Sequence, residues 1–79
     1  MAAKSSRSPE SPNWTAQLAA TIRQRRKALK LTQSELAELA GCGPDFLYDV
    51  ERAKPTLRLD KLLAVLNTLG LTLKVEALT

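Results

Sequence analysis

The sequence contains no histidine and a single cysteine, Cys42. Zinc sites built from Cys and His ligands are thereby excluded, as is a histidine general base. No enzyme, metal or cofactor is expected on this composition. A lone thiol cannot close an internal disulfide, which suits a reducing cytoplasm. The chain also lacks any run of about eighteen apolar residues, the length a membrane-spanning helix requires. Its N-terminus lacks the apolar stretch of a secretory signal. The 79 residues make one domain. Such a chain buries only a marginal core alone, and association with a second copy is a common remedy.

Acids are absent from residues 13–31 and bases from residues 32–51, so the net charge of +4 is unevenly spread. Residues 13–31 carry +5 through Arg23, Arg25, Arg26, Lys27 and Lys30. Residues 32–51 carry −5 through Glu35, Glu38, Asp45, Asp49 and Glu51. Residues 52–79 return to +3. Basic flanks of this kind suit contact with a phosphate backbone.

Between the flanks runs QSELAELAGCGPDFLYDV, Gln33 to Val50. Its spacing predicts a helix, a tight turn and a second helix. Ala37 is small enough for the two helices to approach, and Gly41 stands where the turn needs positive φ. Leu36, Ala40, Cys42, Leu47 and Val50 are the apolar positions that would face one core. Together they compose a helix-turn-helix.

In chain order, residues 1–12 are rich in serine and proline and read as disordered; the alternative is a basic arm carrying Lys4 and Arg7. A first helix is expected from Asn13 or Thr15, as cap, to about Leu29. Leu18, Ile22 and Leu29 form its buried stripe, Trp14 staples onto Ala19, and Arg23, Arg25, Arg26 and Lys27 fill the other faces. Arg26 lies on the inward side and is placed to pair with Glu51, which closes the third helix. Lys30 occupies a turn where glycine would be comfortable. Thr32 and Glu35, in TQSE, make a capping box for the second helix. Gln33, just inside that helix, could donate to a phosphate or be an ordinary polar residue.

Pro44 begins the third helix behind Gly43 as a weak cap. Pro44, Asp45, Tyr48 and Asp49 are free to face a groove. Asp45 can accept from a cytosine amino group or stabilise the helix N-terminus. Arg52, Lys54, Thr56 and Arg58 occupy the following loop, placed for phosphates or merely solvated, with Leu57 and Leu59 as anchors. A last helix is expected from about Arg58 to Leu69, with Leu59, Leu62, Leu63, Leu66 and Leu69 at helical spacing and Gly70 ending it. In residues 71–79, Leu71, Leu73 and Val75 alternate with polar residues, the period of a strand. A lone strand needs a partner; the same strand of a second copy, antiparallel about a two-fold, is the simplest. A frayed tail or a strand donated to another protein is the alternative.

IRQRRKALKLTQSELAELAG, FLYDVERAKPT and LDKLLAVLNTLGLTLKV resemble the Xre/Cro-type helix-turn-helix proteins and, within them, the HipB-type antitoxins. The resemblance implies an all-α, lambda-repressor-like bundle of four to five helices, with a C-terminal β-strand paired across a homodimer. It divides the chain into a tail (1–12), a DNA-binding domain (13–70) and a dimerisation strand (71–79) carrying Leu71, Leu73 and Val75. It implies a bacterial cytoplasmic repressor of its own operon that binds palindromic operator DNA and restrains a HipA-like serine/threonine kinase toxin. It assigns a phosphate contact to Gln33, groove contacts to Gly43, Pro44, Asp45, Tyr48 and Asp49, and a structural ion pair to Arg26 and Glu51. A toxin-binding module with weak DNA affinity and a free-standing Xre-type regulator are the alternatives. Gly43-Pro44-Asp45 departs from the family's usual serine followed by arginine or glutamine, Lys30 from a common glycine, and Ala53 from the glycine that often follows Glu-Arg.

Overall fold

A computed structural model describes residues 10–77, with side chains from Trp14 onward. Four helices follow one another: α1 (Glu10–Ala28), α2 (Gln33–Ala40), α3 (Pro44–Glu51) and α4 (Leu59–Thr68). The described part is all-α, with no strand among the described residues. Of the tail expected at residues 1–12, disordered or a basic arm, residues 1–9 lie outside the described residues, and residues 10–12 are helical instead. α1 begins earlier than its sequence predicts, at Glu10 rather than Asn13 or Thr15. Pro12 falls in the first turn, where a missing N–H breaks no helical bond, and Thr15 is a buried helical residue instead of a cap.

α2 packs on both α3 and α4, and α1 on α3. One core joins them: Ile22 from α1, Leu36 and Ala37 from α2, Leu47 and Val50 from α3, and Leu62, Val65, Leu66 and Leu69 from α4 and its end. Ala37 is buried at the crossing of the helices. Ala40 and Cys42, expected in the core, pack at its margin with Leu18 and Leu57. Three leucines expected to be buried are not: Leu29, Leu59 and Leu63 are 44%, 59% and 43% exposed. α4 buries only the stripe through Leu62, Val65, Leu66 and Leu69, so Leu59 and Leu63 fall beside it. Leu29 lies past the last residue of α1, and Leu31 takes the core-side place. Trp14 is half exposed, so it does not seal the helix start.

All four helices stop in the same way. After each, one residue takes a left-handed conformation: Lys30 (φ 60°), Gly41 (φ 73°), Ala53 (φ 61°) and Gly70 (φ 74°). The next N–H then reaches back across the last turn: Leu31 N to Arg26 O at 3.1 Å, Cys42 N to Ala37 O at 2.9 Å, Lys54 N to Asp49 O at 3.0 Å and Leu71 N to Leu66 O at 2.8 Å. This Schellman closure satisfies carbonyls the helix leaves unpaired. Glycine adopts the conformation freely at two of the four ends; Lys30 and Ala53 do so against the steric cost of a Cβ. The start of α2 is equally specific. Thr32 Oγ1 accepts from Glu35 N at 3.0 Å and Glu35 Oε1 from Thr32 N at 2.8 Å, a complete capping box. After Gly70, residues 71–77 run without helix, turn or bend. Leu71 rests on the core, whereas Val75 is 96% exposed.

Candidate nucleic-acid interface

The geometry around α3 is set by a carboxylate at its end. Glu51 is buried and accepts from two other helices. Arg26 on α1 donates twice, Nε to Oε2 at 2.7 Å and Nη2 to Oε1 at 3.0 Å. Gln33, the first residue of α2, donates Nε2 to Oε1 at 3.0 Å. Arg23 approaches Oε1 at 3.8 Å and donates Nη2 to the Glu51 carbonyl at 2.6 Å. Arg26 uses its remaining Nη1 on the Leu31 carbonyl at 2.8 Å, so all three guanidinium nitrogens are engaged. Burial pushes the Glu51 carboxyl up, but hydrogen bonds from Arg26 and Gln33 and the charges of Arg26 and Arg23 outweigh it, and its pKa lies below the ordinary value. The Glu51 hydrogen bond raises the Arg26 guanidinium despite its partial burial.

Two depressions flank the exposed edge of α3. On the α1–α2 side, Arg23, Lys27, Gln33, Tyr48 and Arg52 surround the Arg26–Glu51 pair. On the other side, Phe46, Asp49, Lys54, Thr56, Leu57 and Arg58 line a second hollow between α3 and the loop after it. The residues singled out by sequence thus divide into groups. Gln33 and Tyr48 belong to the first depression, and Asp49, Lys54, Thr56 and Arg58 to the second. Gly43, Pro44 and Asp45 lie exposed at the start of α3 and line neither. Gly43 caps α3 with backbone alone, and Pro44 stands in the first turn. Asp45 is the only acid of that turn.

Several of these side chains are already engaged. One N–H of the Gln33 amide is held by Glu51, which leaves the amide its second donor. Asp49 is half-buried rather than presented to a groove: Arg52 Nε reaches Oδ1 at 3.2 Å and Lys54 Nζ reaches Oδ2 at 3.4 Å. Burial raises the Asp49 carboxyl and these two cations more than offset it, for a net lowering. Arg58 pairs with Asp60, Nη2 to Oδ2 at 2.6 Å. That contact raises the guanidinium and lowers the carboxyl.

Arg23 and Lys27 also line the first depression and were not singled out by sequence. Arg23 and Lys27 are four apart on α1 with Arg26 between them, so they share its face. Arg52 lies four residues after Tyr48 and sits over its ring, 5.5 Å from the centroid. Those spacings are legible in the sequence; what is not legible is that α1 lays its basic face beside α3. Arg25, from the same basic run, serves another purpose: Nε donates to the Leu69 carbonyl at 2.8 Å and ties α1 to the end of α4.

Among the described residues no helix is long and apolar enough to cross a membrane. Residues 17–78 match a family described as a helix-turn-helix domain. The chain is also similar to a protein of Sinorhizobium fredii described as an uncharacterised HTH-type transcriptional regulator, y4mF. The two are 44% identical over 62 residues, which is 78% of this chain and 82% of that protein.

Proposed function

The chain belongs to the helix-turn-helix domain family, and from that premise we propose that it is a transcriptional regulator that binds double-stranded operator DNA with α3 in the major groove. The observation that carries this reading is the placement of cations on both sides of the exposed edge of α3, Arg23, Lys27 and Arg52 around a basic depression on one side and Lys54 and Arg58 along a hollow on the other. A helix seated in the major groove has a phosphate strand along each flank. Arg23, Lys27, Arg52 and the free donor of Gln33 serve one strand; Lys54, Thr56 and Arg58 serve the other. Gly43, Pro44, Asp45 and Tyr48 are left to meet base edges. Asp49 contributes by holding Arg52 and Lys54 in place.

The finer reading is a homodimer on a palindromic operator, with residues 71–79 of two copies paired as strands and half-sites about one DNA turn apart. The likeness of Glu51–Val75 to HipB-type antitoxins extends this to a repressor of its own operon in the bacterial cytoplasm that also restrains a HipA-like kinase toxin. Stable co-purification with a kinase-like product of the neighbouring gene supports the antitoxin role. A chain that binds its operator and captures no such partner is a free-standing regulator.

The DNA reading is tested by fluorescence anisotropy, titrating the full chain into a duplex from its own promoter and into a scrambled duplex at several salt concentrations. The expected result is preference for the promoter at about 0.15 M salt, with an affinity that falls steeply as salt rises. Equal affinity for both duplexes overturns sequence-specific regulation.

A further inference from the structure

The exposed edge of α3 is poor in the groups that read purines. Arginine or lysine takes guanine O6 and N7, and asparagine or glutamine takes adenine N6 and N7. None of those residue types stands between Gly43 and Val50. Gly43 has no side chain, and Asp45 is an acceptor only, which guanine O6 and N7 repel. Arg52 does not fill the gap. It is the cap residue past the end of the helix, with Nε on Asp49 Oδ1 at 3.2 Å and its guanidinium over the Tyr48 ring. It stands about 12 Å along the axis from Pro44, whereas a recognition helix reads bases with its N-terminal residues. What remains is apolar. Pro44 is exposed, the Tyr48 ring is 58% exposed, and the two share one face of the helix, four residues apart.

We infer that this protein selects its operator chiefly by the C5-methyl groups of thymine, which the rings of Pro44 and Tyr48 cover in the major groove. The inference rests on the DNA-binding reading above and names the feature that is read. Of the four bases only thymine presents an apolar group in that groove, and an exposed apolar ring gains by covering it. One methyl moved from water into apolar contact is worth about fourfold in affinity. Both rings are held before DNA arrives. Pro44 has a closed ring in the first turn, and Tyr48 lies under the Arg52 guanidinium, which Asp49 anchors in turn. Little side-chain freedom is then lost on binding. Four residues of helix rise about 6 Å, and stacked bases about 3.4 Å each, so the two rings meet methyl groups within about two base-pair steps of one another. 5-Methylcytosine carries the same methyl at the same place, so cytosine methylation at those positions should be read as thymine is.

Deoxyuridine differs from thymidine by that methyl alone and supplies the test. The full chain is titrated by fluorescence anisotropy into its promoter duplex and into duplexes carrying deoxyuridine at one thymine at a time. At least one position should lose about fourfold in affinity. The loss at a given position should disappear in Tyr48→Ala or in Pro44→Ala. It should persist in Tyr48→Phe, which keeps the ring and removes the hydroxyl. Changing the same T·A pair to C·G should weaken binding, and 5-methylcytosine in place of that cytosine should recover part of the loss. A promoter preferred over a scrambled duplex, with no uracil effect at any position, overturns the inference and leaves the DNA reading standing. A uracil effect of equal size in wild type and in both ring variants traces to the shape of the duplex and also overturns it, as does failure of 5-methylcytosine to recover any binding. The uracil scan and the methylcytosine recovery use the wild-type chain, so they decide the matter where a ring variant fails to fold. Equal affinity for promoter and scrambled duplex removes both readings.

Discussion

Replacing Glu51 by alanine removes the acceptor that joins three helices, and its cost follows from the contacts. The carboxylate is 4% exposed and takes two bonds from Arg26, whose side chain is 12% exposed, and one from Gln33. Removing one member of a buried pair strands the other charge and costs about 3–5 kcal/mol. Arg26 keeps its bond to the Leu31 carbonyl and retains a little access to water, so the lower end applies, about 3 kcal/mol. A chain of this size has roughly 4–12 kcal/mol in all, and a melting temperature that moves about 4–8 °C per kcal/mol. Glu51→Ala should therefore melt about 12–24 °C below wild type by circular dichroism, both measured at one protein concentration. Exchanging both partners for apolar residues, Arg26→Met with Glu51→Leu, should recover most of the loss, since no charge is left stranded. A loss under about 1 kcal/mol for Glu51→Ala, the value of an exposed pair, would refute the view that this carboxylate organises the bundle. The acid limb carries the same prediction with a definite sign. The pKa of Glu51 is lower folded than unfolded, so its contribution is full above the ordinary glutamate value, about pH 4.3. It is lost as pH falls through the lowered native value. Glu51→Gln should be less stable than wild type at pH 7 and lose less on acidification.

Three further outcomes are expected. Lys30→Gly and Ala53→Gly relieve left-handed backbone at φ 60° and 61°; each should stabilise by about 1 kcal/mol, after the extra freedom glycine gives the unfolded chain. Urea denaturation midpoints report this, and a loss of stability at either position would mean that the side chain there is needed. Thr32→Ala removes the oxygen that accepts from Glu35 N and should cost about 1 kcal/mol in the same assay. Lys27→Ala should flatten the salt dependence of promoter binding by about one phosphate contact and leave sequence preference unchanged, whereas Tyr48→Ala should reduce preference more than salt slope.

Where neighbours along the chain decide the structure, the sequence was a sufficient guide. The Thr32–Glu35 box, the turn at Gly41 and the burial of Leu36, Leu47 and Val50 depend on spacings within eight or so residues. Left-handed backbone at Lys30 follows equally from the length available between two helices. Burial was over-read where apolar residues outnumber the positions a face can hide. Leu59 and Leu63 fit helical periodicity as well as Leu62 and Leu66 do, and only the packing of α4 on α2 separates them. The early start of α1 was missed because residues 1–12, rich in serine and proline, read as one disordered tail, although the first turn of a helix tolerates Pro12. The furthest from view was the basic face. Arg23, Arg25, Arg26 and Lys27 look interchangeable along the chain; the fold sends Arg25 to the Leu69 carbonyl, Arg26 to Glu51, and Arg23 with Lys27 to the rim of the depression beside Tyr48.

That sorting changes what the acidity of Gln33–Glu51 means for a DNA-binding reading. Five acids in the central motif look hostile to phosphate. Yet Glu51 is enclosed by Arg26, Gln33 and Arg23, and Asp49 is clasped by Arg52 and Lys54. Glu35 is turned onto the Thr32 backbone as part of the capping box. The carboxylates therefore act mostly within the protein, fixing α1, α2 and α3 against one another and fixing cations along both sides of α3. Glu38 on α2 and Asp45 in the first turn of α3 stand exposed, and of the two only Asp45 lies on α3. There it can stabilise the helix N-terminus or accept from a cytosine amino group, and one substitution separates these. Asp45→Asn keeps the size and shape of the side chain and removes the charge. If the aspartate serves only the helix, Asp45→Asn should raise affinity for every duplex by lifting a repulsion from phosphate, with preference unchanged. If it reads a base, the same variant should change which promoter positions matter, and a panel of single-base-pair substitutions in the operator will show the altered position directly.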